Sequence, residues 1–273
     1  MRYAGTAILL LLLPPLCPSA AFAREGQSAP PFDRPLQTRH VHAGKQEVRC
    51  YTFARVMVKE IDAGEVGDEQ ISLVPITSPT DRPPCQAKNL ANEHVIPLES
   101  WSGYFHGAKD DYVFLSAEDG MNGGLGFSVY HGADPTSLFQ DAVKFERDRD
   151  RFQSIAGDTP GLRLRYTRVY TGPCSVQTEG AACWARLAAE THLPPATPPD
   201  CAAGYLRAKQ ELATARCEIA HRKDAACIKQ EIDGMKADDA SPSVIGYDVE
   251  VLIQPPQTSI QPAGGPVACW PAD

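Results

Sequence analysis

Apolar and polar residues alternate with a period of two through much of the span from 47 to 171, and again from 243 to 254. That period belongs to strands with one or two buried faces. The clearest stretch is 104–132, YFHGAKDDYVFLSAEDGMNGGLGFSVYHG. Two apolar runs, 112–117 and 125–131, flank the acidic, glycine-rich turn Glu118-Asp119-Gly120-Met121-Asn122-Gly123-Gly124. In the first run Tyr112, Phe114 and Ser116 share a face, with Val113, Leu115 and Ala117 opposite. Both faces are largely apolar, so an internal strand covered on each side is expected. Leu125, Phe127 and Val129 share a face of the second run, and Asn122-Gly123 supplies the positive φ that a tight reversal needs.

Further strands follow from the same period. Residues 47–62 read as one long strand, with a turn at 63–67 and a hairpin partner over 69–76 that Pro75 ends or places at an edge. A short strand is expected within 93–98, and strong ones over 162–171 and 243–254. Residues 137–145 fit a strand paired back on 125–131, or a helix capped by Asp134; the short preceding turn favours the strand. The period then changes. Residues 183–193 have short-helix character, and a Pro-rich linker, 193–199, marks a boundary. Over 200–238 apolar residues fall at helical spacing: Tyr205, Ala208, Leu212, Ala215 and Ile219 in one stripe, Ile228, Ile232 and Met235 in another, with Asp224 placed to cap the second helix. A Pro-rich tail follows 254. The expected fold is mainly β: an antiparallel, sandwich-like body with an α-helical hairpin inserted at 200–238, before the last strand.

The N-terminus adds a compartment. Arg2, the short apolar run 7–13 and the small-x-small triplet Ala21-Phe22-Ala23 read as a secretory signal peptide over 1–23. A polar, Pro- and Ala-containing flexible lead is expected over 24–35 and a single β-rich domain over 36–273. The chain has nine cysteines, and eight follow the cleavage site. An even number in an exported chain reads as a disulfide framework. Cys217 and Cys227 lie five residues either side of Arg222, the expected turn of the helical hairpin, so they face each other. Cys174 with Cys183 closes a small loop, Cys85 with Cys50 pins the 81–85 loop on the first strand, and Cys201 with Cys269 remains. The expected destination is periplasmic or secreted, in a bacterial envelope.

Composition narrows the chemistry. The net charge is −8, so binding nucleic acid or anionic lipid through bulk charge is not expected, and no second apolar run reaches membrane-spanning length. No nucleophile elbow, phosphate loop, dinucleotide fingerprint, His-Glu-x-x-His or Cys-x-x-Cys motif is present. No cofactor or metal is expected. His40 and His42 would share a strand face, a ligand spacing, but read as a solvated pair. The candidate ligand region is aromatic and acidic: Trp101, Tyr104, His106, Asp110, Asp111, Glu118 and Asp119. It reads most simply as an aromatic core edge with exposed neighbours. Its chemistry would otherwise be ring stacking against a glycan, cation binding at Glu118 and Asp119, or acid–base work by His106 with Asp110 or Asp111. The expected function is binding or interaction with an envelope protein or glycan. The alternative is a hydrolase of envelope sugars or peptides acting through the region from Trp101 to Asp119.

Overall fold

Strand β13 (Ser243–Gln254) shows how alternation becomes architecture. Its Ile245, Tyr247, Val249, Val251 and Ile253 are all buried, while Asp248, Glu250 and Leu252 on the other face are half-buried. The computed structural model describes residues 31–146, 149–150, 152–158, 161–195, 198–222 and 224–272. The signal-peptide reading of 1–23 lies outside them. Residues 31–273 form one compact unit, to which the description below refers.

Among the described residues, the first sheet has five antiparallel strands in sequence order: β1 (Gln37–Ala43), β2 (Gln46–Thr52), β3 (Val56–Asp62), β4 (Gln70–Pro75) and β5 (His94–Val95). The second begins with the hairpins β6 (Tyr104–Lys109), β7 (Tyr112–Met121), β8 (Gly124–His131) and β9 (Phe139–Glu146). The short strand β10 (Arg149–Asp150), paired to β9, and then β11 (Phe152–Asp158) lead into β12 (Gly161–Thr171). Four helices follow: α1 (Val176–Glu179), α2 (Ala181–Thr191), α3 (Cys201–Ile219) and α4 (Ala225–Gly234), then a 3-10 turn over Met235–Ala240. The chain returns as β13, β14 (Gln257–Pro262) and β15 (Ala268–Pro271). The path of this larger sheet is β14-β13-β12-β9-β8-β7-β6, with β15 paired to β13 and β11 to β12.

The two sheets pack face to face. Phe53, Val56, Val58, Ile71 and Leu73 of the first meet Val113, Leu115 and Tyr130 of the second. The opposite face of β7 and β8 gives Phe114, Phe127 and Val129 to a larger core shared with β12, β13, α2 and α3. The larger sheet curls, so that Phe152 of β11 lies 5.9 Å from Phe114 and 5.6 Å from Tyr166, ring centre to ring centre. The outer face of the first sheet, including Val48, Cys50, Met57 and Ile61, is covered by Cys85, Ala87 and Leu90. Residues 31–35, which composition groups with the polar lead, are packed: Phe32 joins the curled aromatic core and Asp33 pairs with Lys109 at 2.7 Å.

All four disulfides join the expected partners: Cys50–Cys85, Cys174–Cys183, Cys201–Cys269 and Cys217–Cys227. Three readings are corrected. The single strand over 47–62 is two strands, because Phe53 N donates to Val56 O across a tight turn and β3 folds back on β2, Val48 opposite Ile61. Nothing in Phe53-Ala54-Arg55 marks a reversal; glycine, proline and asparagine are all absent there. The stripe assigned to the first helix is rotated: the buried residues are Cys201, Tyr205, Ala213 and Cys217, while Leu212 is 43% and Ile219 80% exposed. The Cys201–Cys269 bond and buried Tyr205 hold the start of α3 against the body. The tail beyond 254 contributes two further strands, β14 and β15, so the helical hairpin precedes three strands.

These bonds have different reach. Cys217–Cys227 joins only α3 to α4, whereas Cys201–Cys269 closes 68 residues and ties α3 to β15. The double variant Cys217→Ser/Cys227→Ser should speed amide exchange in α4 and the end of α3 while leaving β12 and β13 protected. Cys201→Ser/Cys269→Ser should lower global stability by about 2–4 kcal/mol in denaturant titration.

Candidate functional site

The aromatic–acidic region is distributed along one hairpin. Trp101 donates from Nε1 to the Ser116 carbonyl at 3.3 Å, and Tyr104 lies opposite Ser116 with its hydroxyl accepting from Gly67 N at 2.8 Å. These two are brought together. His106 occupies a bulge between Phe105 and Gly107, with its ring 5.1 Å from Phe32 and 6.0 Å from Phe152. Asp110 forms the β6–β7 turn with φ of 51°, its amide bound to Asp33 at 2.7 Å. Asp111 pairs with Arg55 at 3.2 Å. Glu118 and Asp119 are exposed at the far end of β7, beside a break in register between Ser116 and Gly120. Six strand residues span roughly 20 Å, so the two acidic pairs sit at opposite ends of the strand. Glu118 and Asp119 belong to the strand itself; the reversal is only Asn122-Gly123, both with positive φ.

A second acidic group, overlooked in the sequence, lies where the sheets meet. Arg49 on β2 and Glu60 on β3 are cross-strand partners, and Asp68 stands on the β3–β4 connection. Arg49 Nη2 reaches Asp68 Oδ1 at 2.7 Å and Asp62 Oδ2 at 3.3 Å, with Arg49 Nε 3.6 Å from Glu60 Oε2. Phe105 N of the facing sheet donates to Glu60 Oε1 at 2.5 Å, and Asp68 N donates to Gly103 O. Glu60 is 2% and Asp68 4% exposed. Burial, then the hydrogen bond and charge of Asp68, push the Glu60 carboxyl up to about 8. A proton on Glu60 satisfies Asp68 Oδ2, which is buried with no other hydrogen-bond partner. Burial and Glu60 together push the Tyr51 hydroxyl up to about 12. Neither carboxyl is open to a substrate, so this pair acts as a polar bridge between the sheets.

An open concavity lies beyond the end of β7, at the Asn122-Gly123 turn. A groove of about 460 Å³ runs between α3, the Asn122-Gly123 turn and β15. Trp270 of β15 lines it, held by its Nε1 donating to Asn122 O at 3.1 Å and approached by Lys144 Nζ 5.7 Å from the ring centre. Asp200, Arg207 and Glu211 of the α3 side supply charge of both signs, and Ala203, Gly204 and Ala208 keep that wall low. Gly204 is required by contact: a Cβ there would fall 1.7 Å from Cys269 O. The helix therefore lies directly against β15, and Cys201–Cys269 locks it there. Sequence reading found the cysteines but not the groove, because its walls come from three segments far apart in the chain. A smaller cavity of about 330 Å³ lies beside Trp184 and Tyr247, both 2% exposed. Among the described residues no group of three or more His, Cys, Asp or Glu is placed to hold a metal ion, and no helix is long and apolar enough to cross a membrane.

A scan against protein-family models, a search of curated proteins and a search of solved structures each gave no match.

The Glu60–Asp68 pair makes stability depend on pH. Folding raises the Glu60 pKa from 4.5 to about 8, so the folded state holds a proton that the unfolded chain releases. The stabilisation is fully present below 4.5, declines as pH rises and is lost above about 8. Denaturation midpoints across that interval should fall for the native chain. Glu60→Gln, a neutral donor to Asp68, should flatten the decline; an unchanged slope in this variant would refute the shared proton.

Proposed function

We propose that this is an exported, disulfide-stabilised binding protein of the bacterial envelope, and that the Trp270 groove takes a glycan. Four disulfides fit a chain that matures in an oxidising compartment. The observation that carries the ligand reading is the pairing of a half-buried indole with charged and amide groups around one rigid concavity. Trp270 offers an apolar platform for a sugar ring, and Lys144, Arg207 and Glu211 offer donors and acceptors to its hydroxyls and carboxylates. Because Cys201–Cys269 fixes one wall and the Trp270–Asn122 hydrogen bond fixes another, little ordering cost falls on binding.

The hydrolase reading through Trp101 to Asp119 has weaker support. Its acids are divided between the two ends of β7, Asp111 is engaged by Arg55, and the His106 ring packs beside Phe32 and Phe152.

Titration of the folded protein with soluble cell-wall glycan fragments should change its tryptophan fluorescence saturably. Trp270→Ala should weaken binding at least about tenfold, equivalent to ~1.4 kcal/mol, by isothermal calorimetry. Equal affinity in Trp270→Ala, or binding lost only on substitution of Trp101, would move the site away from this groove.

A further inference from the structure

The outer face of β3 carries one residue that does not match its neighbours. Lys59 stands between Met57 and Ile61 on that face, which Cys85, Ala87 and Leu90 cover. Its side chain is 0% exposed, and so is that of Glu93, whose Oε1 lies 2.6 Å from Lys59 Nζ. Taking such a pair out of water is costly, and apolar side chains would fill the same space without that cost. The neighbours of the pair suggest a use for it. Lys59 Nζ is 3.3 Å from Asn89 Oδ1. Gln70 Nε2 lies 2.9 Å from the same Oδ1 and 3.2 Å from Glu93 Oε1. Glu93 Oε2 accepts from Leu90 N at 2.8 Å, which holds the carboxylate against the lysine. An amine, a carboxylate base and an amide carbonyl contacted by a second donor are therefore assembled in one place.

We propose that Lys59 and Asn89 form an intramolecular amide cross-link, with Glu93 as the proton-transfer group. Glu93 takes one proton from the Lys59 ammonium, and the freed Nζ lone pair attacks Asn89 Cγ. Gln70 Nε2 stabilises the charge that develops on Oδ1. A second Nζ proton is relayed to Nδ2, the Cγ–Nδ2 bond breaks and ammonia departs. The third proton stays on the new amide, and the first stays on Glu93. No oxidant or other reactant is needed, and every group left in the site is neutral, so the buried charge pair disappears. Asn89 itself reaches the surface, which gives ammonia a way out. The product would bind β3 to the 85–93 segment, beside the Cys50–Cys85 bond that anchors the start of the same segment.

Mass spectrometry of the full chain, purified with its disulfides intact, tests this directly. The native protein should be lighter than its disulfide-bonded sequence by one ammonia. A tryptic map should contain a branched peptide joining the Lys59 and Asn89 segments, uncleaved at Lys59. Asn89→Ala, at an exposed position, and Glu93→Gln, which keeps an acceptor but not the base, should each restore the full mass and cleavage at Lys59. A native chain of full mass would overturn the proposal, as would an ammonia loss mapped elsewhere. A cross-link persisting in Glu93→Gln would overturn the role given to Glu93.

Discussion

Strand β7 is buried on both faces, and the rest of the body is arranged around that constraint. Val113 and Leu115 point into the core between the sheets, while Tyr112 and Phe114 point into the core that the larger sheet encloses. A strand with two apolar faces must be covered twice. The first sheet supplies one cover. The curl that returns β11, β12 and β13 towards β7, with Phe152 and Tyr166 edge-to-face against Phe114 and Phe127, supplies the other. Both covers are antiparallel; the first pairs consecutive strands throughout, while in the second β12 pairs with β13 across the intervening helices.

What the sheets cannot hold by burial, covalent bonds hold. Three disulfides fasten a non-strand segment to its neighbours: the 76–93 connection to β2, the entry to α2 to the chain after β12, and α3 to β15. The fourth closes the helical hairpin on itself. This distribution explains why α3 can leave Leu212 and Ile219 exposed and still have a defined orientation. Its position rests on Cys201, Tyr205 and Gly204 near its start, where Tyr205 also reaches the Ser241 carbonyl and Ser243 hydroxyl at 2.8 Å. Glu60, buried at the seam, is matched across it: Phe105 N of the facing sheet donates to its carboxylate.

Much of this fold is legible in the sequence, and the parts that are not have physical reasons. Period-two alternation locates β7, β8, β12 and β13 because each has a run of buried, mainly apolar residues on one face. The cysteine pairing is legible because helical-hairpin geometry gives Cys217–Cys227, proximity gives Cys174–Cys183, the loop after the first hairpin gives Cys50–Cys85, and Cys201–Cys269 remains. The β2–β3 reversal is invisible because its turn, Phe53-Ala54-Arg55, uses residues equally at home in a strand. The strands of the tail are hidden by prolines, which lie at the end of β14 and the end of β15 and so break no ladder interior. The α3 stripe misleads because apolar residues at helical spacing record amphipathicity, not which covalent tether wins.

The same reasoning separates the two candidate sites. The region from Trp101 to Asp119 stands out in sequence because its aromatic and acidic residues are consecutive, yet consecutive residues on a strand alternate faces and spread along its length. Folding therefore disperses it: Trp101 and Tyr104 go to the seam between the sheets, Asp111 to Arg55, and Glu118 and Asp119 to the exposed end of β7. The Trp270 groove has the opposite character. Asn122, Lys144, Arg207 and Trp270 show no pattern in sequence, and only the pairing of β15 with β13 and the Cys201–Cys269 bond bring them around one space. A concavity assembled from distant segments and held rigid by a disulfide is a feature that burial of β7 alone does not require. Its position at the rim of the core, set by a disulfide as well as by strand pairing, is the physical argument that supports the proposed site at Trp270.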